Sequence, residues 1–166
     1  MNIQKQFDEI LNKKLKETVN SKLNNKLLNK IGAEAKDQIV KRTRLGKGVK
    51  NFNGSAFKLL PLKDSTIDQR DRYEFNLSPF TIPQRSNLTA TGQLLDSIDY
   101  KIINDINKSI TLYFKENRRK ELSGSRARVK HKDLSRYVAK NGRPFFNLAS
   151  FEIKKLRSII FDAFNK

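Results

Sequence analysis

Apolar residues recur at every fourth position along the first quarter of the chain: Ile3, Phe7, Leu11, Leu15, Val19, Leu23, Leu27, Ile31, Ala35 and Ile39, with no proline among them. That spacing predicts helix. A strict four-residue step turns 400° on a helix of 3.6 residues per turn, so the stripe drifts about 40° at each step. One straight helix would extend about 55 Å at 1.5 Å per residue and could not hold this stripe against a single core. Either the helix breaks, with Asn24-Asn25 or Gly32 as candidates, or its portions face different partners. Two helical parts are expected, the first an outlying arm. Lys41, Arg42 and Arg44 suit the negative end of a helix, and Gly46 suits a left-handed cap.

The pattern then shortens. Ala56–Leu60 is an apolar run closed by Pro61 and reads as a strand, and Asp64 or Ser65 is placed to cap a short helix through about Arg72. Pro79 and Pro83 favour an extended segment over 79–85. A helix is expected over Thr89–Ser97, capped by Thr89 or Thr91, with Leu94 and Leu95 inward. Ile98, Tyr100 and Ile102 alternate with polar residues, as do Ile110, Leu112 and Phe114, around a turn at Asp105–Lys108. This is the clearest hairpin in the chain. Lys115–Lys132 reads as a mobile basic loop that orders on contact, and Asp133–Lys140 as a short helix. Asn141-Gly142-Arg143-Pro144 reads as a turn. Ser150 is placed to cap a last helix that carries Ile153, Leu156, Ile160 and Phe164 on one stripe.

The fold class expected is α+β, a small antiparallel sheet packed by helices, with an N-terminal helical arm over residues 1–40 and one domain over 41–166. The length of 166 residues suits a single domain with a real core. Only 37% of residues are hydrophobic and 31% are charged, so that core is expected to be thin.

Lys and Arg number 35 against 17 Asp and Glu, a formal net charge of +18. Such a surface favours a polyanion or an acidic protein as neighbour. There are no cysteines, which excludes disulfides, thiolate metal sites and cysteine nucleophiles. No apolar run approaches the ~18 residues of a membrane span, and residues 1–12 lack the apolar stretch of a signal peptide. The expected setting is a cytoplasm or something assembled there. The winding stripe also fits coiled-coil or core packing better than a flat membrane face.

Catalytic equipment is sparse. His131 is the only histidine and is read as a solvated loop residue; alone it cannot build a histidine metal site. Gly46-Lys47-Gly48 lacks the spacing of a phosphate loop. Asp68 and Asp71 could share a helix face and hold a divalent ion, but Arg70 and Arg72 flank them and no further carboxylate clusters there. Neither an enzymatic activity nor a cofactor or metal is expected. The chemical option that remains is sequence-independent contact with a nucleic-acid backbone through two basic blocks. The candidate residues are Lys41, Arg42, Arg44, Lys47 and Lys50 in the first block, and Arg118, Arg119, Lys120, Arg126, Arg128, Lys130 and Lys132 in the second. Acidic protein neighbours would serve these charges equally well.

Several segments, taken in order, carry a family resemblance. They are Arg42-Thr43-Arg44-Leu45-Gly46-Lys47-Gly48-Val49, Phe57-Lys58-Leu59-Leu60-Pro61-Leu62, Ser65-Thr66-Ile67 with Arg70, Arg85–Ile98 containing Leu88-Thr89-Ala90-Thr91-Gly92-Gln93-Leu94, and Gly142-Arg143-Pro144-Phe145-Phe146-Asn147-Leu148-Ala149. Over about residues 40–164 the chain resembles the virion-morphogenesis and tail-completion proteins of tailed phages. The basic stretch Arg118–Lys132 departs from that pattern. The resemblance implies a structural virion protein: a homo-oligomeric ring subunit of the head–tail neck, assembled in the host cytoplasm. Its neighbours would be portal, head-completion and tail-tube or tail-terminator proteins, with DNA passing non-specifically through the lumen and no membrane contact. It also implies that Arg143-Pro144-Phe145 is a rigid turn placing Phe145 and Phe146 under the sheet.

Overall fold

The structure is a computed structural model that describes Val19 and residues 22–72, 93–104, 108–115 and 130–165. Five helices and two antiparallel two-stranded sheets lie among them, an α+β fold. In chain order these are α1 (Asn25–Arg44), β1 (Lys47–Gly48), β2 (Phe57–Lys58), α2 (Asp64–Arg72), α3 (Gln93–Asp96), β3 (Ile98–Ile103), β4 (Ser109–Phe114), α4 (His131–Lys140) and α5 (Ser150–Phe164).

Helix α1 is the spine, and it resolves the drifting stripe. It begins where the Asn24-Asn25 break was expected: the Asn24 side chain accepts a hydrogen bond of 2.8 Å from Leu27 N, the ordinary satisfaction of an orphan helix donor. Leu27, Ile31 and Ala35 pack with Leu156 of α5 in one core cluster. Ile39, further along the same four-residue series, packs in a second cluster with Leu94, Leu95, Ile98, Phe114 and Phe145. Three steps separate Leu27 from Ile39, a drift of about 120°, and the helix uses it to serve two cores. Leu112 and Leu148 touch both. The expected boundary at residue 40 falls within this helix, whose Leu27, Ile31, Ala35 and Ile39 pack into the two clusters. Residues 1–18 of the expected arm lie outside the described residues. At its base, Lys22 Nζ donates to Phe164 O at 2.7 Å, and Lys108 Nζ to Leu23 O at 2.8 Å.

Gly32 does not break α1. It lets strand β3 approach, since a Cβ there would collide with the ring of Tyr100. The helix ends as expected, with Gly46 in the left-handed region at φ 71°.

The hairpin has the expected register: Ile98 faces Phe114, Tyr100 faces Leu112 and Ile102 faces Ile110. These six residues share the half-buried face that meets α1. Leu94 and Leu95 of α3 are buried as expected, and Ser97 Oγ donates to Leu94 O. The extended segment 79–85, the cap at Thr89 or Thr91 and residues 105–107 of the turn lie outside the described residues.

Two caps differ from expectation. Lys63, not Asp64 or Ser65, occupies the cap position of α2, its carbonyl accepting from Thr66 N and Ile67 N. Ser150 is the first residue of α5 rather than its cap; Ala149 holds that place, and Glu152 accepts from Ala149 N at 2.7 Å.

The segment 142–150 stitches the body together. Val49 N donates to Pro144 O, Asn53 N to Leu148 O and Ser150 N to Gly54 O, at 2.9–3.0 Å. Phe145 is buried and meets Phe114 edge-on at 6.3 Å, while Phe146 lies 4.3 Å from Phe114. The turn thus seats both rings against the end of β4.

Candidate cationic site

The first basic block falls on the last turn of α1, on strand β1 and just beyond it, and helical phase separates its members on the helix. Lys41 points outward and pairs with Asp37 one turn earlier at 2.6 Å, which raises the Lys41 pKa above its ordinary value, first through the hydrogen bond and then through the charge of Asp37. Lys47 and Lys50 are exposed. Arg44 is half-buried and reaches Asp96 at 3.4 Å.

Arg42 must be removed from the set of outward contacts. It is 4% exposed, and one guanidinium nitrogen is bonded to Glu152. Its second terminal nitrogen donates to Phe145 O at 2.6 Å and Asn147 O at 2.8 Å. Burial lowers the Arg42 pKa, and the charge and hydrogen bond of Glu152 act against that shift. In this place Arg42 closes the helix–turn–helix junction: it satisfies two carbonyls of the 142–150 segment while its partner Glu152 holds the start of α5. Removing either charge would strand the other in a low-dielectric interior. No outside anion reaches it in this packing.

Of the second block, Arg118, Arg119, Lys120, Arg126 and Arg128 lie outside the described residues. Lys130 and Lys132 are exposed at the start of α4. With Phe114, Lys115, His131, Asp133 and Arg136 they line a cleft of about 230 Å³. Lys115 reaches it from the end of β4, where it also pairs with Asp99 at 2.9 Å. Asp99 receives Lys36 of α1 at 3.5 Å as well. The hydrogen bond from Lys115 is the first cause holding the Asp99 carboxyl below its usual range, followed by the Tyr100 amide and the charge of Lys36; partial burial opposes them.

His131 corrects the expectation of a solvated loop residue. It opens helix α4, is 3% exposed, and neither ring nitrogen has a hydrogen-bond partner. A buried imidazole left so loses about 1–3 kcal/mol for each unmet group. Helix α4 has no side-chain cap either. The candidate contacts therefore left out His131, Arg136 and Lys115, the last although it begins the basic stretch Lys115–Lys132. The spacing of Lys132 and Arg136, four apart, carried a signal, since such residues share a helix face. The burial of His131 left no trace in the sequence.

A further surface is apolar. Leu45, Phe52, Phe57 and Leu60, on or beside the β1–β2 hairpin, are exposed, as is Phe151 in the first turn of α5. Gly54 O, between Phe52 and Phe57 in the chain, accepts from Ser150 N, so Phe52 and Phe151 flank one junction.

Among the described residues no group of three or more His, Asp or Glu side chains could hold a metal ion, and no helix is long and apolar enough to cross a membrane. Comparison with protein-family models, curated proteins and solved structures finds no match for this chain.

Proposed function

We propose that the chain is a structural protein of a tailed-phage virion, a ring subunit of the head–tail neck that joins portal or head-completion proteins to the tail, and that it is not an enzyme. The observation that carries this reading is the ordered series of segments resembling tail-completion proteins, ending in Gly142–Ala149. Two features of the molecule support it. The Arg143-Pro144-Phe145 turn is a scaffold element, with Arg143 donating to Pro61 O at 3.0 Å and Phe145 buried. The exposed Phe52, Phe57, Leu60 and Phe151 offer apolar area of the kind that subunit contacts cover. In a closed ring each subunit would present this fringe to a different patch on the next, a heterologous contact.

Light scattering on the purified chain, alone and with a neck partner, tests the reading. A defined multimer, or rings formed only with the partner, is expected, and Phe52→Asp should weaken that assembly without unfolding the subunit. A chain that stays monomeric under both conditions removes the ring.

The alternative is a sequence-independent nucleic-acid-binding protein, favoured by the cations gathered at the start of α4. A monomer that binds duplex DNA tightly at low salt and releases it as salt rises would establish it, because each phosphate neutralised adds to the salt dependence.

A further inference from the structure

The geometry points to a phosphate-binding pocket at the N-terminus of α4, built by His131 with Lys115, Lys130, Lys132 and Arg136. Three independent features converge on it. Helix α4 has ten residues, no side chain caps its N-terminus, and its first residues line the cleft; the amide end of a helix favours an anion. His131, buried at that end, lines the cleft with two ring nitrogens that no protein group satisfies. The remaining polar lining is cationic, apart from Asp133, whose carboxylate is drawn to Arg136 at 3.6 Å. A cleft of about 230 Å³ has room for a tetrahedral oxyanion and its first waters. An anion seated there accepts from the helix end and the lysines, and supplies the acceptor that a His131 N–H lacks.

The ligand chemistry is a phosphate group, either free or within a nucleic-acid backbone. The inference makes specific the backbone contact considered above for Lys130 and Lys132, and it is independent of the ring: a monomer that passes the test below keeps the pocket and loses the neck.

His131 is the only histidine in the chain, so its ring protons are a unique reporter in a proton NMR spectrum. The full-length protein is titrated at fixed pH with inorganic phosphate, with a short DNA duplex, and with sodium chloride at matched ionic strength. A saturable shift of the His131 ring with phosphate, absent with chloride, is expected. The same shift with duplex assigns the source to a nucleic-acid backbone; a shift with inorganic phosphate alone assigns it to a free phosphate. Lys132→Glu reverses one exposed lining charge and should weaken phosphate binding roughly fivefold or more. Lys154→Glu on α5, exposed and not among the cleft residues, serves as control and should leave binding unchanged. A His131 resonance that moves equally with chloride, or equal weakening by both variants, overturns the pocket.

Discussion

Arg42 and Lys132 both sit in basic runs and both carry a full positive charge, yet they meet opposite environments. Arg42, in the last turn of α1, is enclosed with Glu152 and two backbone carbonyls. Lys132, in the first turn of α4, is exposed beside a cleft that holds no paired carboxylate other than Asp133. The difference is one of helical phase and neighbours, not of charge. Lys41 and Arg42 are adjacent in sequence but about 100° apart around the helix; the first projects into solvent and the second toward α5. A run of cations therefore does not mark a polyanion surface until each is assigned a side. The buried one does structural work, and the exposed ones face solvent.

The comparison breaks most visibly at the buried pair. Glu152→Ala leaves Arg42 uncompensated and should cost about 3–5 kcal/mol, a fall in Tm of roughly 6–20 °C for a chain of this length. Replacing both partners, Arg42→Met with Glu152→Met, should recover only part of this. Phe145 O, Asn147 O and Ala149 N would each lose the partner they now have, at about 1 kcal/mol or more apiece. Thermal unfolding of the single and double variants measures the gap; a double variant as stable as the parent would show that the pair holds nothing but itself.

Helical phase can also be tested without charge. Gly32→Ala places a methyl group against the Tyr100 ring, and overpacking of this kind costs about 1–3 kcal/mol. The gain from removing a helical glycine, ~1 kcal/mol, acts against it, so a net loss in urea denaturation is the expected sign. A net gain would mean that α1 and β3 do not meet as closely as described.

Acid sharpens the contrast between enclosed and half-enclosed charge. Asp99 is held below its ordinary pKa chiefly by Lys115, and Glu34 chiefly by hydrogen bonds from Gln38 and Lys155. A depressed carboxylate binds its proton more weakly when folded than when unfolded. Its contribution is therefore complete at neutral pH, begins to fall as the medium nears the ordinary carboxylate value of about 4, and is gone below the lowered folded value. Denaturation midpoints between pH 6 and pH 2 should drop for the parent, and drop less for an Asp99→Asn, Glu34→Gln variant. The smallest effect is expected at Lys132→Glu, whose exposed position should change stability by no more than about 0.5 kcal/mol.

Much of this architecture was legible in the residues. The hairpin could be read because period-two alternation fixes both face and register, and Ile98, Tyr100 and Ile102 do meet Phe114, Leu112 and Ile110. The helix break at Asn24 and the left-handed Gly46 could be read because caps are local chemistry. So could the choice that the drifting stripe imposes, a break in the helix or a change of partner, which is arithmetic on a 3.6-residue turn. Tertiary structure alone decided which partners those were: Leu156 of α5 for the first part and the Leu95–Ile98–Phe145 cluster for the second. It also decided that Arg42 would be buried while Lys41 was not, and that His131 would be enclosed without a hydrogen bond. The burial of Arg42 depends on groups 103 to 110 residues away, Phe145 and Glu152. Local propensity carries no information about such neighbours, because burial is a property of the packed chain and not of the residue.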